Sequence, residues 1–360
     1  MLSSAEVKAE ARRLGFDLCG VAPAAALPEL TRLGEWLARG YAGEMTYLHK
    51  SAATRADIRQ FLPTARSVIV TGTLYNVEEP DVERPGGPGA ASASGTVRVA
   101  RYARGDDYHV RLGERLEALV AWMRSRHGEG FDAAVFVDKH HVQERVFAAQ
   151  AGLGWVGKNT CVIHPELGSW LLLSGVATSL PLVLDAPLSD QCGACTLCLD
   201  SCPTGALVEP RLLDATRCIS YLTIELEGPV PPSQRPHVEN HLFGCDICQE
   251  VCPWNLAAPL TSDAAWHGPV RDGAAAAELW QRSDQSLHAF VRGSAMTYTS
   301  LARLRRNLAL VIGNAGDPAL AEVLDRPGGG VKNAAHSAQT ALVQDAVAWA
   351  RSRLADASPR

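Results

Sequence analysis

The sequence predicts an α+β protein built from three segments. Strand-like apolar runs alternate with amphipathic helical runs up to about residue 185. Eight of the ten cysteines then fall between Cys192 and Cys252, where regular patterning fades, and the remainder of the chain is mostly helical. These changes place the segment boundaries at 1–187, 188–257 and 258–360. A segment so rich in cysteine is expected to be organised around metal more than around an apolar core.

The first segment has clear strand and helix signals. Strands are predicted over 67–75, 133–139 and 170–180, which are rich in Val, Leu and Ile. Helices are predicted near the N-terminus, with a Ser3/Glu6 capping box, and over 107–127 and 144–152. A flexible loop is expected at 84–95 because the run consists mostly of Gly, Pro, Ala and Ser.

The last segment is predicted to be helical. One helix covers 300–314, and a second covers 316–325 with Asp317 as N-cap and Pro318 at its first position. Paired short helices of this kind indicate HEAT-like repeats. Residues 281–360 hold ten Lys or Arg and six Asp or Glu, a balance of +4 in a chain whose net charge is −5. That balance is compatible with nucleic acid, although such a value usually marks a solvated face.

The expected compartment is the reducing cytoplasm. No apolar run is long enough to span a bilayer, and the N-terminal residues have no apolar signal core. Clustered cysteines in such a compartment indicate metal binding or catalysis more often than disulfides.

The cysteine spacing predicts two [4Fe–4S] clusters. The run from Cys192 follows C-x2-C-x2-C-x3-C-P, the second run from Cys245 supplies three cysteines before a Pro, and Cys218 lies between them. By the crossed pattern of two-cluster ferredoxins, the first cysteine set is Cys192, Cys195, Cys198 and Cys252, and the second cysteine set is Cys202, Cys218, Cys245 and Cys248. The alternative is two structural zinc sites on the same eight thiolates. Cys19 and Cys161 lie outside both sets and are expected to be inert buried thiols.

Longer motifs around these cysteines resemble one family. They are RYARGDDYH (101–109), FVDKHHVQERVFAAQAGLGWVGKNT (136–160), CPTGAL (202–207), CISYLTIE (218–225), GCDICQEVCPWN (244–255) and RLRRNLALVIGNAGD (303–317). Together they resemble the epoxyqueuosine reductases, from the first helix nearly to the last residue.

The resemblance implies an oxidoreductase that reduces epoxyqueuosine to queuosine at the wobble position of tRNA. The tRNAs concerned carry GUN anticodons and serve Tyr, His, Asn and Asp. It also implies a cobalamin-binding N-terminal α/β domain, electrons supplied through a ferredoxin-like two-cluster domain, and HEAT-like helices that hold the tRNA. The chain is then expected to be cytoplasmic and monomeric, and to take electrons from a low-potential donor of the ferredoxin or flavodoxin type.

The resemblance also implies which residues act. Asp138, at the end of a predicted strand, matches the family's general acid. An ordinary Asp has a pKa of about 3.9, so burial after the apolar run is expected to raise it. The positions that match the cobalamin-lining stretches are Arg55, Tyr102, Asp138, Ser220, Cys245 and Asp246.

Several polar residues near these motifs stay open. Lys158 and Asn159 occupy a Gly-rich loop that either contacts phosphate or is a simple turn. His109 lies in a near-match to a cobalt-ligating motif, but the Gly is one residue late, so a packing or supporting role is expected. His140 and His141 receive no role.

The basic C-terminal helix supplies the tRNA candidates Arg303, Arg305 and Arg306, which cannot all face one way.

Two other classes compete with this prediction. A corrinoid-dependent reductive dehalogenase also couples cobalamin to two clusters, but usually carries a twin-arginine leader. A non-catalytic electron carrier would need neither the large N-terminal segment nor the C-terminal helices.

Overall fold

The computed structural model describes residues 2–78, 95–268, 271–326 and 338–357. Apart from Gly95, the loop predicted at 84–95 lies outside the described residues. The described strands are β1 (Leu18–Pro23), β2 (Ser67–Leu74), β3 (Arg98–Val99), β4 (Ala133–Val137), β5 (Trp155–Val156), β6 (Val162–Ile163), β7 (Leu171–Thr178), β8 (Leu207–Glu209), β9 (Leu212–Leu213) and β10 (His241–Phe243).

The described helices alternate with these strands and dominate the end of the chain. They are α1 (Ser4–Arg13), α2 (Arg32–Ala38), α3 (Thr46–Lys50), α4 (Ala52–Ala56), α5 (Tyr108–His127), α6 (Glu144–Gln150), α7 (Leu197–Asp200), α8 (Ile219–Ile224), α9 (Ile247–Glu250), α10 (Ala276–Gln281), α11 (Asp284–Val291), α12 (Leu301–Asn314) and α13 (Ala338–Asp356).

A four-stranded sheet in the order β1-β2-β7-β4 forms the centre of the N-terminal segment. Each neighbouring pair in it is antiparallel. The arrangement is therefore α+β and not a parallel α/β sheet. The predicted strands are confirmed as β2, β4 and β7, whereas β1 was not predicted because its six residues include Cys, Gly and Pro and show no alternation.

Helices cover both faces of this sheet. Residues of β2 alternate between two cores: Val68 and Val70 pack with Phe147 of α6, while Ile69 belongs to the core that includes Leu112 of α5. This alternation is what a strand buried on both faces requires. Because α5 and β4 lie side by side, the start of α5 and the end of β4 meet at one edge of the sheet.

Two predicted helix starts are confirmed by their caps. Ser3 and Glu6 form the capping box of α1, and the Asp107 side chain accepts a hydrogen bond from the backbone N–H of His109 at the start of α5.

The single helix predicted over 316–325 is wrong. The segment forms two short 3-10 turns, Pro318–Ala321 and Val323–Asp325. Asp317 still caps the first of them, accepting from the N–H of Ala319. Pro327 follows closely and disfavours a helical conformation at Arg326, so the run is too short for a regular α-helix.

The C-terminal helices α12 and α13 pack closely against each other. A Cβ added to Gly313 would lie 2.8 Å from the Cα of Ala350, closer than such atoms approach in proteins. The glycine therefore permits the close approach. The largest core cluster runs from Val7 to Leu354 and so joins all three predicted segments.

A short parallel pairing of β3 with β10 ties the start of α5 to the cysteine-rich segment. It brings Gly244 beside Tyr102, because a Cβ on Gly244 would lie 3.6 Å from Tyr102 Cε1. Tyr102 and Cys245 are thereby held close in space although they are far apart in sequence.

Candidate active site and cysteine centres

Asp138 follows the last residue of β4 and has an unusual backbone. Its φ is 45°, in the left-handed region that few residues other than glycine adopt. The Tyr108 hydroxyl donates to Asp138 Oδ2 at 2.6 Å, and His109 Nε2 lies 3.1 Å from the same oxygen. The Asp138 side chain is 61% exposed. A strained backbone that presents a hydrogen-bonded carboxylate to solvent is typical of a functional site.

His109 bridges two carboxylates. Its Nδ1 is 2.7 Å from Asp107 Oδ1, and its Nε2 faces Asp138. Burial lowers the pKa of His109, but the hydrogen bonds to Asp107 and Asp138 outweigh burial, so the pKa lies above its ordinary value. The two hydrogen bonds therefore favour the imidazolium form of His109.

The raised pKa expected for Asp138 is wrong. The surrounding protein atoms partly desolvate the carboxylate and so raise its pKa, but the hydrogen bonds from His109 and Tyr108 and the positive charges of His109 and Arg55 together lower the pKa below its ordinary value. The two opposite pKa shifts favour the carboxylate form of Asp138 and a proton on His109. The strand pattern could not show this, because the reversal comes from residues on α5.

Arg55 and Tyr102 both lie near Asp138. Arg55 donates to Val142 O at 2.9 Å and to Ser51 Oγ at 3.0 Å. The Tyr102 ring packs edge-on against Tyr108, with centroids 5.9 Å apart. Burial raises the pKa of Tyr102, and so do the negative charges of Asp138, Asp246 and Cys218. Tyr102 therefore lies next to Tyr108, which holds Asp138, and next to Gly244, which precedes Cys245.

Glu144 is a half-buried acid that its helix pattern did not indicate. Its Oε1 has no hydrogen-bond partner among the described residues. Burial, followed by the charge of Asp138, raises its pKa to about 8. Its position in the first turn of α6 was the only sequence signal, and that signal is common to many helix N-termini.

The first cysteine set surrounds one cavity of about 40 Å³, lined by Lys158, Asn159, Ile163, Pro253, Trp254 and all four of its cysteines. Zinc would require four thiolates at about 2.3 Å from one point. No group of three or more Cys, His, Asp or Glu among the described residues is arranged to hold a single metal ion.

The members of the second cysteine set influence one another. Burial and then the neighbouring Cys202 raise the pKa of the Cys218 thiol. Burial and then the neighbouring Cys218 raise the pKa of the Cys245 thiol. Cys218 also accepts hydrogen bonds from the backbone and side chain of Ser220. Ser220, predicted to line cobalamin, is thus in contact with a cysteine of this set.

Of the two remaining cysteines, only Cys19 is isolated. Burial raises the pKa of Cys19 to about 12, which fits the expected inert thiol. The neighbouring Cys248 instead lowers the pKa of the Cys161 thiol, so Cys161 lies next to the second cysteine set. The spacing gave no sign of this contact, because Cys161 comes from the loop between β5 and β6.

That loop connects both cysteine runs. Lys158 Nζ donates to Gly193 O at 2.7 Å and to Cys195 O at 2.9 Å, and Asn159 Nδ2 donates to Cys248 O at 3.3 Å. Both side chains bind protein carbonyls, so the loop supports the cysteine runs and the phosphate alternative loses its basis. His140 accepts from the Val137 N–H at 3.0 Å, whereas His141 is exposed.

The prediction of Arg305 and Arg306 as tRNA contacts is wrong. Both are buried, at 3% and 1% exposure. Arg305 pairs with Asp284 at 2.7 Å, and Arg306 donates to the carbonyls of Leu226 and Gly228. Net charge along a helix does not show which side chains face inward. Arg303 is half-buried, donates to Ile224 O at 2.8 Å, and alone of the three stays a candidate.

Comparisons with known proteins identify the family of this chain. Residues 191–255 match the family described as a 4Fe-4S double cluster binding domain, so the chain is a two-cluster iron–sulfur protein. Residues 55–139 match the family described as Epoxyqueuosine reductase QueG, DUF1730. The epoxyqueuosine reductase of Gloeobacter violaceus is 42% identical over 324 residues, which cover 88% of this chain and 97% of that protein. The chain belongs to the epoxyqueuosine reductase family.

Solved structures of epoxyqueuosine reductases have a fold similar to that of this chain. An epoxyqueuosine reductase crystallised with a tRNA-Tyr epoxyqueuosine-modified tRNA stem loop is 26% identical, with a TM-score of 0.80, over 96% of this chain and 98% of that one. The epoxyqueuosine reductase of Bacillus subtilis, seen with an aspartate catalytic loop swung out of its active site, is also 26% identical, with a TM-score of 0.79 and the same coverage. No helix among the described residues is long and apolar enough to cross a membrane.

Proposed function

We propose that this protein is an oxidoreductase that reduces epoxyqueuosine to queuosine in tRNA. The observation that carries the proposal is the placement of Asp138. It presents a carboxylate to solvent, shares a hydrogen bond with His109, and is held by Tyr108, whose ring packs against Tyr102 beside Gly244 and the second cysteine set. A proton source and an electron source therefore meet at one position.

The reaction demands both sources. Removing the epoxide oxygen as water and leaving an alkene consumes two electrons and two protons. The C–O bond breaks more easily when its oxygen is protonated as it departs. Thiolate-bound clusters supply the electrons one at a time, and the described residues must supply the protons.

The proton is held by His109 and reaches the substrate through Asp138. His109 Nε2–H lies against Asp138 Oδ2, and the Tyr108 hydroxyl holds that oxygen in place. Transfer from His109 Nε2 to Asp138 Oδ2 would form a neutral carboxylic acid, which gives that proton to the departing epoxide oxygen and returns to a carboxylate. The same exposed carboxyl takes the second proton from solvent. In the Bacillus subtilis relative the catalytic loop also carries an aspartate, which supports this role for Asp138.

The pH dependence should report the raised pKa of His109. The protonated form persists above the ordinary value of about 6.5 and is lost as pH rises through the pKa in the folded protein. We expect the alkaline limb of kcat/KM to lie above that ordinary value. In Asp107→Asn the limb should move to lower pH, because a neutral partner stabilises the imidazolium less. An unmoved limb in that variant would exclude His109 as the proton source.

The residues proposed to hold cobalamin fit such a group in part. The Tyr102 ring offers an apolar surface next to Asp138, Arg55 offers a cation, and the unpaired Glu144 Oε1 can accept from an amide such as those on a corrin ring. Ser220 and Cys245 would line the cofactor from the side of the second cysteine set. When bound, cobalamin supplies a cobalt centre that passes two electrons to the epoxide.

Asp246 takes a supporting part in this proposal. It is buried, and its Oδ2 accepts from the Arg101 N–H at 2.8 Å. It therefore positions the segment that carries Tyr102, and is less free than Arg55 to contact a cofactor directly.

Electrons are proposed to enter at the first cysteine set. Leu197 and Leu256, which flank its cysteines, are 48% and 80% exposed. Exposed apolar side chains next to a redox centre suit a transient partner, here a low-potential donor of the ferredoxin or flavodoxin type. The second cysteine set, which lies near Tyr102, would receive the electrons next.

The finer organisation is proposed by analogy with the family. We place cobalamin binding in 1–187, the two clusters in a ferredoxin-like domain at 188–257, and tRNA binding in HEAT-like helices at 258–360, of which α12 and α13 form one pair. The tRNA would be one with a GUN anticodon that carries epoxyqueuosine at the wobble position, and the chain would act as a cytoplasmic monomer.

Two arginine variants separate tRNA contact from folding. Arg303→Gln should weaken tRNA binding and reduce the slope of log Kd against log salt by about one, as expected for one lost phosphate contact. Arg306→Gln should lower the free energy of unfolding by about 2–4 kcal/mol, because it leaves buried carbonyl oxygens without their hydrogen-bond donor. Stem-loop titrations and denaturant melts measure both. Unchanged tRNA affinity and salt dependence in Arg303→Gln would remove Arg303 from the interface.

The function can be tested in cells. In a bacterial host whose tRNA accumulates epoxyqueuosine, expression of this chain should convert the nucleoside to queuosine. Persistence of epoxyqueuosine, with the protein present and loaded with iron, would refute the proposed function.

A further inference from the structure

The β5–β6 loop contacts the first cysteine set more closely than a structural turn requires. The indole N–H of Trp155 points at Cys192 Sγ, with 3.4 Å between nitrogen and sulfur. The ammonium of Lys158 lies 2.9 Å from Cys195 O and lines the same cavity as the four cysteines. One residue therefore directs a hydrogen bond at a cluster ligand, and the other brings a full positive charge next to the cluster.

The loop is built to hold these two groups still. A Cβ on Gly154 would lie 2.3 Å from Ile163 O, and one on Gly157 would lie 2.4 Å from Ile163 Cδ1, so the hairpin closes tightly around Trp155. Arg211 supports it from outside: its N–H donates to Lys158 O at 3.0 Å, and its Nε donates to Val156 O at 3.0 Å. The Trp155 ring also packs edge-on against Trp254, with centroids 5.0 Å apart.

These contacts have a direct electrostatic consequence. Adding one electron to a thiolate-bound cluster adds one negative charge, which spreads onto the cysteine sulfurs. A hydrogen bond to sulfur and a nearby cation both stabilise the more negative, reduced form. Hydrogen bonds to the sulfurs and net charge are among the factors that set the potentials of such clusters.

We propose that Trp155 and Lys158 are positioning residues that raise the reduction potential of the cluster held by Cys192, Cys195, Cys198 and Cys252. The donor then reduces this outer cluster more readily than it would without the loop. The inference rests on the proposed assignment of that cluster to these four cysteines. The proposal gives the loop at 157–160, which contains Lys158, a redox role in place of phosphate binding.

The test is a redox titration of the reconstituted full-length protein, followed by electron paramagnetic resonance of both clusters. Trp155→Phe keeps the ring and removes the N–H, and Lys158→Met keeps most of the stem and removes the charge. In each variant the equilibrium between the reduced and oxidised forms of the first cluster should shift about tenfold toward the oxidised form. This shift corresponds to a reduction potential lower by about 59 mV. The second cluster serves as an internal reference and should not shift.

Two matched controls isolate the interactions. Trp254 lines the same cavity, and its indole N–H bonds to no cysteine sulfur in the described chain, so Trp254→Phe should leave the first potential unchanged. Lys158→Arg keeps the charge and should restore most of the wild-type potential. An unchanged first potential in both Trp155→Phe and Lys158→Met would overturn the proposal. So would loss of the cluster from both variants, which would show a structural role only. If the wild type bound no iron, the cluster assignment itself would fail instead.

Discussion

Replacing Asp138 by asparagine is expected to reduce turnover by about 10²–10⁴, the usual contribution of a positioned acid. Asparagine keeps the shape of the side chain and can still pair with Tyr108, but it cannot accept the proton of His109 and pass it on. Iron content, the spectra of both clusters and bound cobalamin should match the wild type. The measurement is single-turnover conversion of epoxyqueuosine in stem-loop RNA, with equal cofactor loading in all samples.

Asp106 offers a matched control for this substitution. It is an exposed acid next to Asp107, paired with Arg111 at 2.6 Å, and it makes no contact with His109. Asp106→Asn should therefore turn over as the wild type does. If Asp138→Asn were equally active, the proton would have to come from another group, and the proposed route from His109 through Asp138 would be wrong.

Replacing Cys218 by alanine should remove one cluster and leave the other. Cys218 is the one member of the second cysteine set that lies in neither run, yet its thiol interacts with those of Cys202 and Cys245. Iron should fall from about eight to about four atoms per chain. Turnover should fall below detection, because electrons from the first cluster would have no site next to Tyr102 to reach.

Cys19 supplies the control for this loss. It is buried away from both sets, beside Lys8 and Asp185, so Cys19→Ala should keep about eight irons and full turnover. Eight irons in Cys218→Ala would remove that residue from the second set. Zinc without iron in wild-type protein purified without oxygen would restore the zinc alternative.

Local sequence signals predicted much of the fold. The capping box of α1, the apolar stripe of α5 and the Val-rich strands β2 and β4 appear where their patterns indicated. These elements are specified by residues close together in the chain. The strand β1 and the 3-10 turns after Asp317 were missed, because their short segments depend on packing and on nearby prolines.

The residues of the site could be predicted from the sequence only where the spacing of residues in a motif is itself enough to indicate their chemical role. The cysteine runs and Asp138 are marked by motifs, but the protonation state of Asp138 depends on Tyr108 and His109, which are 30 and 29 residues away in sequence. The same dependence on tertiary contacts explains why the predicted tRNA contacts of Arg305 and Arg306 were wrong. Their charges suggested nucleic acid, whereas almost every residue of α12 from Leu304 to Gly313 is buried against neighbouring helices and loops. Tertiary contacts decided both cases.

The central claim is that this chain uses electrons from its clusters and a proton from Asp138 to deoxygenate epoxyqueuosine in tRNA. The most direct test is to reconstitute the purified protein with iron, sulfide and cobalamin without oxygen, and to supply a chemical reductant and a tRNA-Tyr stem loop carrying epoxyqueuosine. The masses of the nucleosides in the digested RNA are then measured by mass spectrometry. The account predicts queuosine, lighter by one oxygen atom, in an amount that exceeds the enzyme and depends on cobalamin. Unchanged epoxyqueuosine with both clusters present and reduced would contradict it.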